Sequence, residues 1–308
     1  VASNNSSAGI YVSADKPRLR EVPRRIGLIA GEGNFPVVLA EAARSLGVEV
    51  ITFGIHGMAS DLLAAHSNQT YSLKLAEVSR LIDLAHQHNI THVVMAGRIR
   101  HDLLFRQITF DKRILSILSG LKDRRADSLL GAAVAELEKE GITVLDSTMF
   151  LKSCMPEAGN LTTRLVPPLE VLEDIEFGYP LAKEIGRLDI GQTIAVKNKV
   201  VVAVEALEGT DQLIRRVHPL AGDGVVFIKV SKPRQDMRFD VPVIGLTTIR
   251  HLVAARAAAL CITAGQTLFF DRPEAIQLAE QNNITIIARE DPPAAPDIVG
   301  HAIAPQRG

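Results

Sequence analysis

The residues Arg25 to Ala30, apolar from Ile26 onward, read as a short buried strand that runs directly into Gly31-Glu32-Gly33-Asn34-Phe35-Pro36. Val37 to Leu46 then has helical spacing, Gly47 stops it, and Val48 to Phe53 is a second apolar strand. Strand, glycine turn, helix and strand in immediate succession point to a βαβ opening and an α/β fold. A glycine-rich turn at a helix N-terminus offers backbone N–H groups to a phosphate. It equally serves as a tight turn that needs glycine for its backbone angles. The dinucleotide form of the motif fits poorly, because Pro36 takes the place of the third glycine and Phe53-Gly54 replaces an acidic ribose-binding residue.

The alternation continues. Glu77 to His88 is helical, with Val78, Leu81, Ile82 and Ala85 on one face, and Thr91 to Ala96 is a strand ending at Gly97. Ligands of parallel sheets gather at strand ends, so Gly97 and Arg98 join Gly31 and Gly33 as candidates. From Arg98 to Arg125 eight basic residues interleave with Leu103, Phe105, Ile108, Phe110, Ile114 and other apolar positions. This stretch is either a core helix pair with a solvated basic face or a face for an anionic lipid head and its acyl chains. Leu129 to Glu140 is a helix and Ile142 to Leu145 a strand.

Pro156, Gly159, Pro167 and Pro168 break the pattern, and 155–168 is the expected linker between an N-terminal domain, 23–154, and a C-terminal domain, 169–292. Residues 1–22 and 293–308 are expected to be tails, the first rich in Ser, Asn and charge. The second half opens with a helix over Leu169 to Gly186. A hairpin turning at Lys197-Asn198-Lys199, a short helix over Asp211 to Val217 and a strand over Val225 to Val230 follow. Thr247 to Leu260 reads as an alanine-rich helix, Gln266 to Phe270 as a strand, Pro273 to Asn282 as a helix and Ile284 to Ala288 as a last strand.

Composition excludes several functions. In 308 residues, 34 basic and 35 acidic side chains leave a net charge of −1, so no global field attracts nucleic acid, and none is expected as a partner. Two isolated cysteines, Cys154 and Cys261, are too few for a disulfide framework or zinc knuckle and read as small buried hydrophobes of a reducing, cytoplasmic protein. The nine histidines lack metal or finger spacing, and no local signature of a Ser-His-Asp or Cys-His arrangement stands out.

The chemistry-bearing residues concentrate at element ends of the second half. One cluster is Arg187-Leu188-Asp189-Ile190-Gly191-Gln192; a second runs from Glu205 through Glu208-Gly209-Thr210-Asp211 to Arg215-Arg216. The densest is Lys232 to Asp240, with two carboxylates, three cations and the Gln235 amide on a loop between apolar segments. Asp189 and Asp211 are ordinary capping residue types, and arginines usually pair with such acids at the surface. Asp240, between Phe239 and Val241-Pro242, has no obvious capping role. An Asp236/Asp240 pair on an irregular loop has the chemistry to share one Mg²⁺.

Four strings in order carry a resemblance: Leu28-Ile29-Ala30-Gly31-x-Gly33-x-x-Pro36, Gly186-Arg187-Leu188-Asp189-Ile190-Gly191-Gln192, Ala203-Val204-Glu205-Ala206-x-Glu208-Gly209-Thr210-Asp211, and Lys232-Pro233-x-Gln235-Asp236-x-Arg238-x-Asp240-x-Pro242-x-Ile244-Gly245. The chain resembles, from about Arg25 to Arg289, the UDP-2,3-diacylglucosamine pyrophosphatases of the lipid A pathway that are unrelated to calcineurin-like phosphoesterases. The resemblance implies an N-terminal Rossmann-like domain, a C-terminal α/β domain and a glycolipid nucleotide held in the cleft between them. It implies Mg²⁺-dependent hydrolysis to UMP and 2,3-diacylglucosamine 1-phosphate (lipid X), with water attacking the sugar-side phosphorus. Asp240 matches the family's catalytic aspartate and is the expected metal ligand, with Asp236 as its assistant. Gly31, Gly33 and Thr210 fall where the family meets the phosphate-bearing substrate. Gly97, Asp211, Arg215, Lys232, Gln235 and Arg238 complete the expected substrate contacts, and Arg216 is a further candidate clamp. Glu32 and Val243 depart from the family pattern, where glycine and threonine are common. The expected setting is the cytoplasm, with transient contact at the inner face of the inner membrane; a homodimer is compatible with the sequence. The alternative is a non-catalytic lipid or sugar-nucleotide binding protein of the same fold.

Overall fold

The computed structural model describes residues 22–75, 77–99 and 126–291, so most of the basic stretch and, apart from Val22, both expected tails lie outside the described residues. The first sheet contains β1 (Arg25–Ala30), β2 (Glu49–Ile55), β3 (Gln69–Leu73), β4 (His92–Ala96) and β5 (Thr143–Val144). Its order is β3-β2-β1-β4-β5, and every pairing is parallel. The helices α1 (Phe35–Ser45), α2 (Leu63–His66), α3 (Val78–Gln87) and α4 (Ala126–Lys139) belong to this half. Pro36 sits in the first turn of α1, where a missing N–H costs nothing, and Leu39, Ala40 and Ala43 form its buried stripe. In this order the winding reverses between β1 and β4, and a crevice at the carboxyl ends of those strands is where such folds receive ligands.

The second sheet is mixed. Its strands are β6 (Gly159–Asn160), β7 (Thr193–Lys197), β8 (Val200–Val204), β9 (Val226–Lys229), β11 (Ala259–Thr263) and β13 (Thr285–Arg289), in the order β6-β13-β11-β9-β7-β8. The centre, β13-β11-β9, is parallel, while β6 and the β7–β8 hairpin run antiparallel at the two sides. The helices here are α5 (Leu169–Arg187), α6 (Thr210–Ala221), α7 (Leu246–Ala254) and α8 (Arg272–Gln281). The expected linker stretch thus contributes β6, and Leu161 N donates to Ile286 O at 2.8 Å. The molecule is a two-domain α/β protein.

The helix expected over Thr247 to Leu260 is wrong in its second half. The helix α7 ends at Ala254, Arg256 takes a left-handed backbone (φ 48°), and Ala259–Thr263 is β11, buried at every position. Alanine has the highest helix propensity, but a strand covered on both faces accepts small residues equally well, and the tertiary position decides. The strand β3 gave no signal because Gln69, Thr70 and Ser72 are polar edge residues.

A third, two-stranded sheet joins the halves. The strands β10 (Val243–Ile244) and β12 (Leu268–Phe269) pair in parallel. Leu268 and Phe270 belong to the apolar cluster built from Leu28, Ala30, Leu39 and Ala96 of the first half, with Val241 and Val243 packed against it. The Phe35 and Phe270 rings lie 5.8 Å apart. A segment of the C-terminal half is therefore anchored in the N-terminal core, which fixes the position of the loop just before it. The departure at Val243 serves this contact. Among the described residues no helix is long and apolar enough to cross a membrane.

Candidate active site

At the crevice of the first sheet the two glycine turns touch. Gly31 N donates to Ala96 O (2.8 Å), Glu32 N to Arg98 O (2.8 Å) and Arg98 N to Glu32 O (2.9 Å). A Cβ on Gly31 would stand 2.7 Å from Arg98 O, and one on Gly97, whose φ is 89°, 2.8 Å from Glu32 O. Both glycines are thus required for the approach of two backbones. Because the Gly31 and Glu32 N–H groups are engaged, a phosphate here would meet the turn from Gly33 onward, where φ is 101° and the space beside the Cα is open. The departure at Glu32 is paired with Arg98 at 3.1 Å. Arg98 also reaches the C-terminal half: its guanidinium is 3.6 Å from the position a Gly209 Cβ would take.

Gly209, with φ 82°, opens α6, and no side chain caps that helix. Thr210, its first residue, is held on three sides. Its hydroxyl donates to Glu205 Oε1 (2.9 Å), accepts from Lys229 Nζ (2.7 Å) and lies 3.3 Å from Thr193 Oγ1. Glu205 and Lys229 are 6% and 5% exposed, so the hydroxyl proton is committed to a buried carboxylate. Sequence reasoning passed over Lys229 by reading Val225 to Val230 as one apolar strand; a lysine inside that run was the available signal. Asp211 and Arg215 turn instead to His251 on α7, at 3.2 and 2.9 Å, and Arg216 is bound by Glu208 at 2.8 Å and by Val204 O at 2.7 Å.

The loop from Lys232 to Asp240 is folded by its own polar groups. Lys232 N donates to Gln235 Oε1 (2.7 Å), Gln235 Nε2 donates to the Asp240 carbonyl, and Asp240 N returns to Asp236 O (3.0 Å). The Asp236 carboxylate faces Arg238, with Nε 3.0 Å from Oδ1 and a terminal nitrogen 2.8 Å from Oδ2. Hydrogen bonding to that guanidinium holds Asp236 below the usual carboxylate range and raises Arg238 in return. Arg238 also reaches Glu138 of α4 at 3.1 Å. Ser147, fully buried after β5, ties the loop to the first sheet: its N–H donates to Met237 O at 2.9 Å, and its hydroxyl lies 2.5 Å from both Met95 O and Arg238 O. No local motif distinguished Ser147.

Asp240 stands at the end of this loop. Its Oδ2 is buried and accepts no hydrogen bond, yet Lys232 Nζ lies 2.9 Å away as an ion-pair partner. The same ammonium is 2.7 Å from Asp189 Oδ1. Asp189 closes the C-terminus of α5 in a left-handed conformation (φ 55°), its N–H donating to Gly186 O at 3.0 Å and that of Ile190 to Ile185 O at 3.3 Å, while its side chain meets a lysine across the domain. Lys232 lies against α5 at Gly186, where a Cβ would be in ordinary contact with it, 3.5 Å from Lys232 Cα. Gly191 in turn abuts Glu205, whose carbonyl a Cβ would overlap at 2.2 Å. The string Gly186 to Gln192 is thus a shelf that supports Lys232 and Asp240 at one end and the Glu205–Thr210–Lys229 group at the other.

A carboxylate suits a hard cation, and at Asp240 such a cation would share the site with the Lys232 ammonium already beside Oδ2. Mg²⁺ commonly takes one or two carboxylates and completes its shell with water and substrate phosphate. Asp240 fits that pattern; Asp236, with both oxygens on Arg238, fits it less well. Among the described residues no group of three or more His, Cys, Asp or Glu side chains forms a metal cage.

The family model described as the LpxI N-terminal domain matches residues 25–154, and that of the LpxI C-terminal domain matches 157–287. A curated protein of Caulobacter vibrioides named UDP-2,3-diacylglucosamine pyrophosphatase LpxI is 32% identical over 276 residues, covering 86% of this chain and 97% of that protein. Among solved structures, a biotin carboxylase domain of a thermophilic 2-oxoglutarate carboxylase is 11% identical over 44% of this chain and 29% of its own, with a TM-score of 0.25. The biotin carboxylase subunit of pyruvate carboxylase is 12% identical over 64% and 42%, also at 0.25, and neither likeness carries an argument. With both of its domains matched in order, the chain belongs to the LpxI family.

Proposed function

We propose that this protein hydrolyses the diphosphate of UDP-2,3-diacylglucosamine, giving UMP and 2,3-diacylglucosamine 1-phosphate in lipid A biosynthesis. The observation that carries the reading is the family match over both domains, whose seam holds the aspartate singled out in the loop after β9. Water forms the new bond to the sugar-side phosphorus, and the bond from that phosphorus to the bridging oxygen breaks, so that oxygen leaves with UMP. Asp240 holds or orients the water. The buried partnering of Asp240 by Lys232 keeps a negative oxygen in a fixed place, which is what orientation of a nucleophile requires. Lys232, and the N-terminus of α6 beside Arg98, supply positive charge for the diphosphate oxygens. Thr210 orients this helix start through Glu205 and Lys229.

Mg²⁺ is part of the proposal, held by Asp240 together with the substrate's own oxygens. When bound it neutralises charge on the diphosphate as a Lewis acid. Arg215, Arg216 and Arg238 would have to leave present partners to clamp phosphate, and Lys232 would have to reach the phosphate from between Asp189 and Asp240. The substrate's two acyl chains place the encounter at a membrane surface, as transient peripheral contact.

The test is release of UMP from UDP-2,3-diacylglucosamine with and without Mg²⁺, by the wild type and by Asp240→Ala. Metal-dependent UMP from the wild type alone is expected. Absence of UMP from the wild type overturns the activity; full activity in the variant overturns the site. Reaction in ¹⁸O-labelled water should place the label on the sugar phosphate.

A further inference from the structure

We infer that Asp189, a residue with no assigned part in the reaction, is a positioning residue that acts on Asp240 through Lys232. This deepens the proposed hydrolysis and rests on it. Three observations combine. The Lys232 ammonium lies between the two carboxylates, 2.7 Å from Asp189 Oδ1 and 2.9 Å from Asp240 Oδ2. All three side chains are largely enclosed, at 20%, 15% and 27% exposure for Asp189, Lys232 and Asp240. Asp189 holds a left-handed backbone conformation, φ 55°, which an aspartate adopts less readily than glycine or asparagine.

The consequences follow from charge and freedom. A lysine carries a flexible four-carbon stem, and one carboxylate alone fixes its tip poorly. With Asp189 on the far side, the ammonium is anchored at both ends, and Asp240 meets it in one orientation. The close approach of Lys232 to Gly186 on the same shelf shortens the space in which the stem can move. Asp189 also draws part of the ammonium's field, so Lys232 does not wholly neutralise the Asp240 carboxylate, which keeps negative character toward water or a cation. Without Asp189 the lysine either collapses onto Asp240 or swings outward, and either motion spoils the orientation of the reacting water.

A purely structural turn makes a different forecast. If only the left-handed conformation mattered, Asp189→Asn and Asp189→Gly would both be harmless, because these residues suit that backbone better than aspartate does. Their fit also makes unfolding of these variants unexpected, and thermal unfolding of each would verify it. We expect both to keep near-native stability while kcat falls about tenfold or more, with KM changed less than threefold, as for loss of an interaction made in the transition state. Asp189→Glu should recover part of kcat. In a Lys232→Gln background, Asp189→Asn should add nothing, since the lysine carries the effect.

A second readout does not depend on turnover. Acetic anhydride labelling followed by mass spectrometry should find Lys232 protected in the wild type and several-fold faster in Asp189→Asn. Wild-type kcat in both the Asn and Gly variants, or losses that add fully to those of Lys232→Gln, overturns the inference. Unchanged labelling of Lys232 in Asp189→Asn overturns it also. A wild type that releases no UMP removes the hydrolase reading, and the catalytic role of Asp189 falls with it. The labelling result then shows separately whether the Asp189–Lys232 anchor itself was right.

Discussion

The crevice of the first sheet and the loop from Lys232 to Asp240 both face the seam, and they are built by opposite means. The crevice is a backbone site: Gly31 and Gly97 exist so that two chains can touch, and a Cβ at Gly97 would lie 2.8 Å from Glu32 O. The loop is a side-chain site: its shape and charge come from Gln235, Arg238 and Lys232 meeting specific partners. The difference teaches which property each can lose. Substitution in the crevice should cost stability, whereas substitution at the end of the loop should cost chemistry.

The sharpest break of this contrast is Asp240→Ala. Lys232 keeps Asp189 as a partner in that variant, so no charge is left orphaned, and thermal stability should change little. Activity should fall roughly 1,000-fold, within the range for losing a positioned group that handles a proton. A variant that loses both fold and activity would place Asp240 with the structural residues instead. Gly97→Ala should behave in the reverse manner, costing about 3 kcal/mol in urea unfolding from its left-handed backbone and the overlap combined. Gly33→Ala, with φ 101° but open space, should cost only the backbone strain, about 1–2 kcal/mol. Equal costs at the two positions would mean that backbone contact is not what Gly97 provides.

Ser147 connects the two regions and makes an intermediate case. Ser147→Ala removes the single hydroxyl proton shared between Met95 O and Arg238 O, and should destabilise the protein by about 1–2 kcal/mol. It should also raise the exchange rate of amides in the loop. The smallest effect concerns pH. Arg238 lowers Asp236 below the usual carboxylate range, so the pair's contribution is present above that range and is lost as pH falls through the lowered folded value. The pair is partly exposed, which keeps the contribution under about 1 kcal/mol. Asp236→Asn should lower stability at neutral pH by up to that amount, flatten the profile across the acid carboxylate range and converge on the wild type at the lowest pH.

Much of the first half was legible along the chain. Regular alternation of apolar strands with helices, together with glycine at Gly31 and Gly97, suffices for a parallel sheet and for the strand ends where a ligand collects. The second half was read less well where composition misleads. Alanine-rich sequence hid the break between α7 and β11, and one lysine in an apolar run hid the buried group around Thr210. The prominence of the Lys232 to Asp240 loop was visible; the identity of its partners was not.

The sequence by itself determined the α/β class, the glycine turns and the placing of a charge-dense loop between core segments, because these depend on short-range periodicity and local backbone demands. Tertiary structure alone decided which charges meet. Asp189 and Lys232 are 43 residues apart, and Ser147 and Arg238 are 91 apart, yet each pair is in direct contact. Neighbouring charges along the chain gave no hint of this: of Asp236 and Asp240, four positions apart, one is taken by Arg238 and the other faces Lys232. An ion pair needs only a few ångströms of separation in space, and in a folded chain that distance is set by how sheets and helices pack.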